Sequence, residues 1–377
     1  MTNPFRYGGV VSADAFCNRR SELSDLRRAI DNSERMFLYS ERRLGKTSLI
    51  QLLLSRLPKR DYLTIYVDLW PTDGLPSFAT TVAEAIALST STKSDKLLET
   101  AKEMFAPLSP SLTLDSSGNP SLKFGIVRSM PKQIDIQEIL NVPGKLSQKM
   151  NRKVVVVFDE FQRLIEYEND LVERTLRSVV QTEENVAWLL LGSRKHLIQR
   201  MFLDQERPLY RSAGHYPLGM IGTEHWLPFI RERFLKANKE IEDEVILSLC
   251  ELSEGHPFYT QHLAHALWEL TPFNDDATPT LLNEALSLLL QRESYAFTTL
   301  WESLTRNHQR FLRGLALEAK GVAPFSSGFI ARYGLRSASN AQRAAETLLE
   351  RDVVDRENGS FTITDRFLRL WIQRTAE

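Results

Sequence analysis

Cysteine is nearly absent from the chain: Cys17 and Cys250 are the only two among 377 residues, and they lie far apart. That argues against a disulfide scaffold and for two ordinary thiols in a reduced compartment. Charge of one sign is not in excess either, with 47 Lys and Arg against 48 Asp and Glu. A generally basic nucleic-acid coat is thereby disfavoured, leaving room only for a local basic face. Long apolar runs are missing; stretches such as VVVVF at 154–158 are strand-length and far too short to span a bilayer. Met1–Ala15 has no basic start followed by an apolar stretch, so no secretory signal is read there. A cytoplasmic protein with no membrane partner is expected. Internal repeats and low-complexity segments are also lacking, which argues against a solenoid. What remains is a soluble globular composition, long enough for two or three domains.

Within it, YSERRLGKTSLI (39–50) ends like a phosphate-binding loop but opens on serine where glycine is usual. The frame is Ser40-Glu41-Arg42-Arg43-Leu44-Gly45-Lys46-Thr47, followed by Ser48. In such loops backbone N–H groups cradle phosphates, the lysine neutralises them and the hydroxyl residue meets Mg²⁺. Gly-Lys-[Ser/Thr] alone arises by chance roughly 0.1–0.3 times in a chain of this size, so context decides. RMFLYS (35–40) reads as a short buried strand, and Leu49, Leu52, Leu53 and Leu57 recur at helical spacing from about Lys46. Strand, loop and helix aim a helix N-terminus at a phosphate. Gly45 is retained where the backbone must come close to the phosphates, and serine at position 40 is small enough to make the turn.

The complementary half is KVVVVFDEFQRL (153–164), a non-alternating apolar strand of the buried parallel type that ends in Asp159 and Glu160. Ligands bind at that end of an open α/β sheet. Asp159 is expected to hold Mg²⁺ together with Thr47, and Glu160 to polarise the attacking water. LTIYVDLW (63–70) reads as a further strand, followed by helical stretches over 76–91 and 94–105. Two alternating segments flank Ser-Ser-Gly-Asn-Pro within 108–126, the pattern of an inserted β-hairpin. After a helix over 170–182, VAWLLLGSR (186–194) is another buried strand. Ser193 stands at its end, where a sensor of the γ-phosphate is expected, with Arg194 as a second candidate. HYPLG (215–219) is a fifth, short strand. Arg42, Arg43, Arg200, Arg207 and Arg211 are candidates to complete charge stabilisation, within the chain or from a neighbour.

NPFRYGGVV (3–11), FCNRRSEL (16–23), ERRLGKTSL (41–49), VVVVFDEFQRL (154–164) and EGHPFY (254–259) follow one another in that order. Together they resemble the archaeal-type ATPases of the STAND class, signal-transduction NTPases within the broader AAA+ group. A non-glycine start of the loop is tolerated there. The resemblance implies that Lys46 and Thr47 bind the phosphates and Mg²⁺ of ATP, and that the segment around Phe5, Tyr7 and Gly9 flanks the adenine. It also implies that Pro257, in Gly255-His256-Pro257, belongs to a glycine-x-proline motif in a helical lid that reports on bound nucleotide. Asn18 departs from the pattern, which often has glycine before the arginine. Many relatives carry an effector domain after this core; here the effector is expected to be a separate protein.

Residues 222–297 read as helices. His262 and His265 share one helical face, a spacing that could ligate a metal but without a third ligand nearby reads as packing. Ala341, Ala344, Ala345, Leu348 and Leu349 form an apolar helical face, after which DVVD (352–355), a Glu357-Asn358-Gly359 turn and SFTIT (360–364) form a hairpin. Helices followed by such a hairpin suggest a winged helix. Arg336, Asn340 and Arg343 on its exposed face would suit DNA, whereas Glu346 and Glu350 would repel phosphate. A terminal amphipathic helix over 364–374 turns Phe367, Leu368 and Trp371 inward.

The expected architecture is an α/β P-loop NTPase core with a parallel sheet over residues 1–220, a helical lid over 221–297 and a winged-helix domain over 298–377. The expected activity is slow, Mg²⁺-dependent ATP hydrolysis used as a switch on a partner protein, with ATP held between core and lid. ATP-dependent assembly into a homo-oligomer is a further expectation. The alternative is a DNA-acting AAA+ ATPase, initiator-like or transposition-regulator-like, that binds duplex DNA through the winged helix and the 108–126 hairpin. A nucleotide-dependent scaffold without appreciable turnover is a third reading.

Overall fold

The computed structural model of the chain describes residues 2–11, 13–90, 99, 102–105, 108, 110–114, 120–124, 135–193, 197, 201–357 and 359–376. The chain divides into two compact units. One comprises Arg19–Arg42 and Lys46–Leu218; the other comprises Met1–Asn18, Arg43–Gly45 and Gly219–Glu377.

The first unit runs α1 (Arg20–Asp31), β1 (Arg35–Tyr39), α2 (Lys46–Ser55), β2 (Tyr62–Asp68) and α3 (Leu75–Thr90). After these come β3 (Pro110–Leu114), β4 (Pro120–Phe124), α4 (Ile136–Leu140), α5 (Val142–Met150) and β5 (Lys153–Asp159). It closes with α6 (Leu171–Thr182), β6 (Val186–Gly192) and β7 (Gly214–Pro217). Five strands form one sheet in the order β2-β5-β6-β1-β7, and every pairing in it is parallel. Strand β1 has β6 on one side and β7 on the other, so the chain order reverses around it. The loop that leaves β1 therefore emerges at a topological switch point, at the carboxyl end of the sheet.

Position in the sheet explains the strand sequences. Val154–Phe158 of β5 and Val186–Leu191 of β6 are buried on both faces, so they show no alternation. The edge strand β2 alternates instead, burying Leu63, Ile65 and Val67 while Tyr62, Thr64 and Tyr66 are only half-buried. The hairpin expected over 108–126 forms from β3 and β4, with Leu112 opposite Leu122; residues 115–119 lie outside those described. The helical stretch expected over 94–105 falls mostly outside them as well.

The second unit is mainly helical: α7 (Thr223–Leu235), α8 (Asp243–Ser253), α9 (Pro257–Leu270) and α10 (Pro279–Glu302). A two-residue parallel pair, β8 (Glu240–Ile241) with β9 (Asp276–Ala277), interrupts what the sequence presents as helices alone. Two residues are too few to impose a periodicity of two on the pattern. Then come α11 (Arg306–Leu317), α12 (Ser327–Arg332), α13 (Ala338–Glu350), the antiparallel hairpin β10 (Val354–Glu357) and β11 (Ser360–Ile363), and α14 (Arg366–Ala376). This is the winged-helix arrangement. Thr278, Thr305, Ser326 and Ser337 cap α10 to α13 by accepting a backbone N–H in the first turn. Ala341, Ala344, Ala345 and Leu348 form the buried face of α13, and one apolar core continues from Trp226 of α7 to Ile372 of α14. Among the described residues no helix is long and apolar enough to cross a membrane.

Candidate functional site

Ser40 follows β1 directly and is fully buried. Its hydroxyl donates to the Glu41 carbonyl at 2.8 Å and accepts the Lys46 ammonium at 2.8 Å. The ammonium also donates to the Glu41 carbonyl at 3.1 Å. Serine at this position thus serves the lysine as well as making the turn. Burial pulls the Lys46 amine down to about 8, against the opposing charges of Glu160, Asp159 and Glu41. A buried cation held mainly by neutral oxygens is poised to take an anion. Gly45 has φ +89°, and the space where a Cβ would stand is open, so the backbone there leaves room for a ligand. Leu44 and Ser48 are buried, while Arg42 is exposed.

Asp159, at the end of β5, is buried. Its Oδ2 accepts the Thr47 hydroxyl at 2.8 Å and the Tyr66 hydroxyl, while Oδ1 accepts the Glu160 N–H at 2.9 Å. Motif and acidic strand therefore meet across 112 residues. Tyr66 carries no motif in the sequence: alternation reports that its side faces away from the apolar layer, not what it reaches. Burial, then the Asp159 charge, push its hydroxyl well above the ordinary tyrosine range.

Glu160 takes a left-handed backbone, φ 54° and ψ 40°, at the start of a 3-10 turn over Phe161–Glu166. Such a conformation is strained for glutamate and turns its side chain off the strand direction. Its Oε2 accepts the Ser193 hydroxyl at 2.9 Å and the Gln162 side-chain amide. The structure brings Ser193 and Glu160 together; Arg194 lies outside the described residues, as does Arg200. Arg207 is committed elsewhere, paired with the buried Glu173.

The remaining candidates lie in the helical unit. Phe5 is 1% exposed and packs against Phe229 and Phe234, so its ring is spent in the core. Tyr7 is 38% exposed and stacks on His262 with centroids 3.8 Å apart and planes 16° apart. His262 is a packing histidine; burial, then His265, Arg292 and Arg43, lower it to about 4. No group of three or more His, Cys, Asp or Glu that could hold a metal occurs among the described residues. The Arg43 guanidinium lies over the Phe258 ring at 4.4 Å, a cation–π contact within the helical unit.

Pro257 opens α9, where its missing N–H costs nothing. Gly255 has φ +66°, and a Cβ there would stand 2.5 Å from the Ile221 carbonyl, so no other residue fits. Just before it, Glu254 meets Lys320 at 3.1 Å, Arg366 at 3.3 Å and Arg369 at 2.6 Å. The glycine-x-proline segment is thereby tied to the terminal helix α14. Nothing in the sequence pattern distinguishes that acid from a solvated helix end.

Comparisons with known proteins bear on the family and the fold. The family model described as an ATPase domain predominantly from Archaea matches residues 16–262, well over half of the chain. A model described as a probable winged helix domain matches residues 295–374. Among solved structures, the chain is similar to a Walker-type ATPase of Pyrococcus abyssi, with TM-score 0.65 and 17% identity, covering 96% of this chain and 97% of that one. It is also similar to the ORC2 protein of Aeropyrum pernix in ADPNP–ADP complexes, with TM-score 0.55, 15% identity and coverage of 95% and 94%. The ORC1 protein of the same organism in complex with DNA gives TM-score 0.50, 14% identity and coverage of 100% and 98%. No curated protein matches in sequence.

Proposed function

The chain belongs to the family of ATPase domains predominantly from Archaea, and on that footing we propose that it is a Mg²⁺-dependent, slowly hydrolysing ATP switch of the STAND type that regulates a partner protein. The observation that carries this reading is the convergence of a buried Lys46 ammonium, the Thr47–Asp159 pair and Glu160 at one end of the parallel sheet.

The residues fit the cation. Ligands at adjacent corners of an octahedral Mg²⁺ site stand about 3 Å apart, given bonds of about 2.1 Å, and Thr47 Oγ1 and Asp159 Oδ2 are 2.8 Å apart. When bound, Mg²⁺ supplies neutralisation of the phosphate charge. Lys46 exchanges the Ser40 hydroxyl for phosphate oxygens. The loop from Glu41 to Ser48 presents backbone N–H groups to the phosphates at the N-terminus of α2. Glu160 orients the attacking water and Ser193 reports the γ-phosphate. Slow hydrolysis then sets how long the ATP-bound form lasts, and that lifetime is the switch.

Lys46→Ala is expected to abolish nucleotide binding in an equilibrium titration, whereas Glu160→Gln retains binding and stalls phosphate release. Equal turnover in Glu160→Gln and the unaltered protein removes Glu160 from this role. ATP-dependent self-association, read by light scattering with the Glu160→Gln protein, tests the homo-oligomer.

Duplex DNA is the second reading. It is favoured by the exposed Arg336 and Arg343 beside and on α13, by Arg356 in the wing, and by the fold shared with a protein solved on DNA. Glu346 and Glu350, exposed on the same helix, oppose it. A salt-dependent shift of duplex DNA, lost in Arg336→Ala/Arg343→Ala, would make DNA the partner.

A further inference from the structure

Gln162 is 1% exposed, and its carboxamide is engaged at both ends. Its Oε1 accepts the backbone N–H of Ser193 at 3.3 Å, while its Nε2 donates to Ser193 Oγ at 3.2 Å and to Glu160 Oε2. The first of these bonds fixes which way the amide faces: with Oε1 on an N–H donor, only Nε2 is left to meet Glu160. Ser193 Oγ donates to the same Glu160 oxygen at 2.9 Å. Two neutral donors therefore converge on Oε2 of one carboxylate, and Glu160 Oε1 faces neither of them. Gln162 thus bridges the end of β6 and the residue after β5 through a ring of three side chains.

We propose that Gln162 is a positioning residue for ATP hydrolysis: it holds one oxygen of Glu160 so that the other is presented to the attacking water, and it links that orientation to Ser193. The inference rests on the reading of Glu160 as the residue that polarises water. The backbone makes such support necessary. Glu160 sits in a left-handed conformation on a short 3-10 turn, and among the described residues its side-chain hydrogen bonds are those from Gln162 and Ser193. A carboxylate free to rotate would spend most of its time away from the water. Buried donors that suit a carboxylate without neutralising it restrict the rotation and leave the charge in place. An amide is suited to this work because, unlike a second acid or a base, it keeps its N–H donors and its carbonyl acceptor at every pH where the protein is folded.

The test uses the full chain as wild type, Gln162→Met, Gln162→Glu, Glu160→Gln and the double variant Gln162→Met/Glu160→Gln. Methionine keeps the length and burial without the donor; glutamate keeps the acceptor for Ser193 N–H and removes the donor to Glu160. Single-turnover hydrolysis of Mg²⁺-ATP is expected to fall on the order of 10- to 100-fold in both Gln162 variants, with ATP affinity from equilibrium titration within about threefold of wild type. In the Glu160→Gln background, adding Gln162→Met should cause no further loss, because its effect passes through Glu160. In the nucleotide-free protein, amide exchange at Ser193 should speed up in Gln162→Met and stay slow in Gln162→Glu. Turnover within twofold of wild type in Gln162→Met, or an equal loss with and without Glu160, overturns the proposal. Unchanged turnover in Glu160→Gln overturns the underlying reading and the proposal together, whereas loss there with a normal Gln162→Met removes Gln162 alone.

Discussion

The Lys46 ammonium donates to the Ser40 hydroxyl at 2.8 Å, and both residues are buried. A glycine, usual at that position, could not make this bond. In the proposed complex the same ammonium protons serve phosphate oxygens, so this bond would be given up there. Ser40→Ala is therefore expected to lower the stability of the nucleotide-free protein by about 1–2 kcal/mol, the cost of a lost buried hydrogen bond to a charged group. By the same linkage ATP should bind more tightly, by about fivefold for 1 kcal/mol. Calorimetric titration alongside chemical denaturation checks both; a loss of affinity as large as that in Lys46→Ala would show that the serine serves the complex.

Tyr66 and Thr47 donate to the same oxygen of Asp159. If that oxygen faces the cation, the tyrosine competes for its lone pairs. Tyr66→Phe keeps the ring and removes the donor. The expected result is a two- to fivefold lower Mg²⁺ concentration for half-maximal ATPase, a change of about 0.5–1 kcal/mol typical of one net hydrogen bond. A raised Mg²⁺ requirement would mean that Tyr66 instead holds Asp159 in place.

His262 gives the helical unit a defined acid response. Its folded-state value is lowered to about 4 from 6.5, first by burial and then by His265, Arg292 and Arg43. Between those two values the unfolded chain binds more protons than the folded one, so stability falls as pH drops through that window. His262→Phe retains a ring against Tyr7 without a titrating group. Unfolding free energies from denaturant titration at pH 7 and pH 4.5 should differ less in the variant, by about 1–2 kcal/mol after allowance for incomplete burial. The same pH response in both proteins would assign the acid limb to other groups.

The parts legible in the sequence are those with a period or a motif. Val154–Phe158 and Val186–Leu191 read as central strands because a strand covered on both faces needs apolar residues throughout. Lys46, Thr47, Asp159 and Glu160 stand out because a phosphate-loop motif and an acidic strand end name those residue types at those positions. Gln162, Tyr66 and Glu254 carry no such mark. Each is defined by what it reaches, 31 residues away for Gln162 and Ser193 and 93 for Tyr66 and Asp159, and one-dimensional spacing does not encode such pairs. Phe5 and Tyr7 show the same limit from the other side. Two residues apart in an irregular segment, they have opposite fates, one in the core and one on a partly exposed stack.

Glu254 supplies the sharpest stability test. Burial would raise its carboxyl, yet Arg366, Arg369 and Lys320 outweigh that and hold it below the usual carboxylate range. Its side chain is 15% exposed and that of Arg366 only 5%, so solvent cannot replace the missing charge on either partner. Removing one member of such a cluster costs about 3–5 kcal/mol when it is buried, and the partial exposure of Arg369 and Lys320 reduces that to about 2–3 kcal/mol here. Glu254→Gln, similar in volume, should lose this much in urea denaturation at pH 7. Because the carboxyl is depressed, the wild-type advantage should be present above the ordinary glutamate range and vanish as pH falls through the folded value. Arg366→Met placed on Glu254→Gln should cost less than Arg366→Met alone, since the two residues share one interaction. Additive losses would show that Glu254 and Arg366 act independently, and that the glycine-x-proline segment is not tied to α14 through this pair.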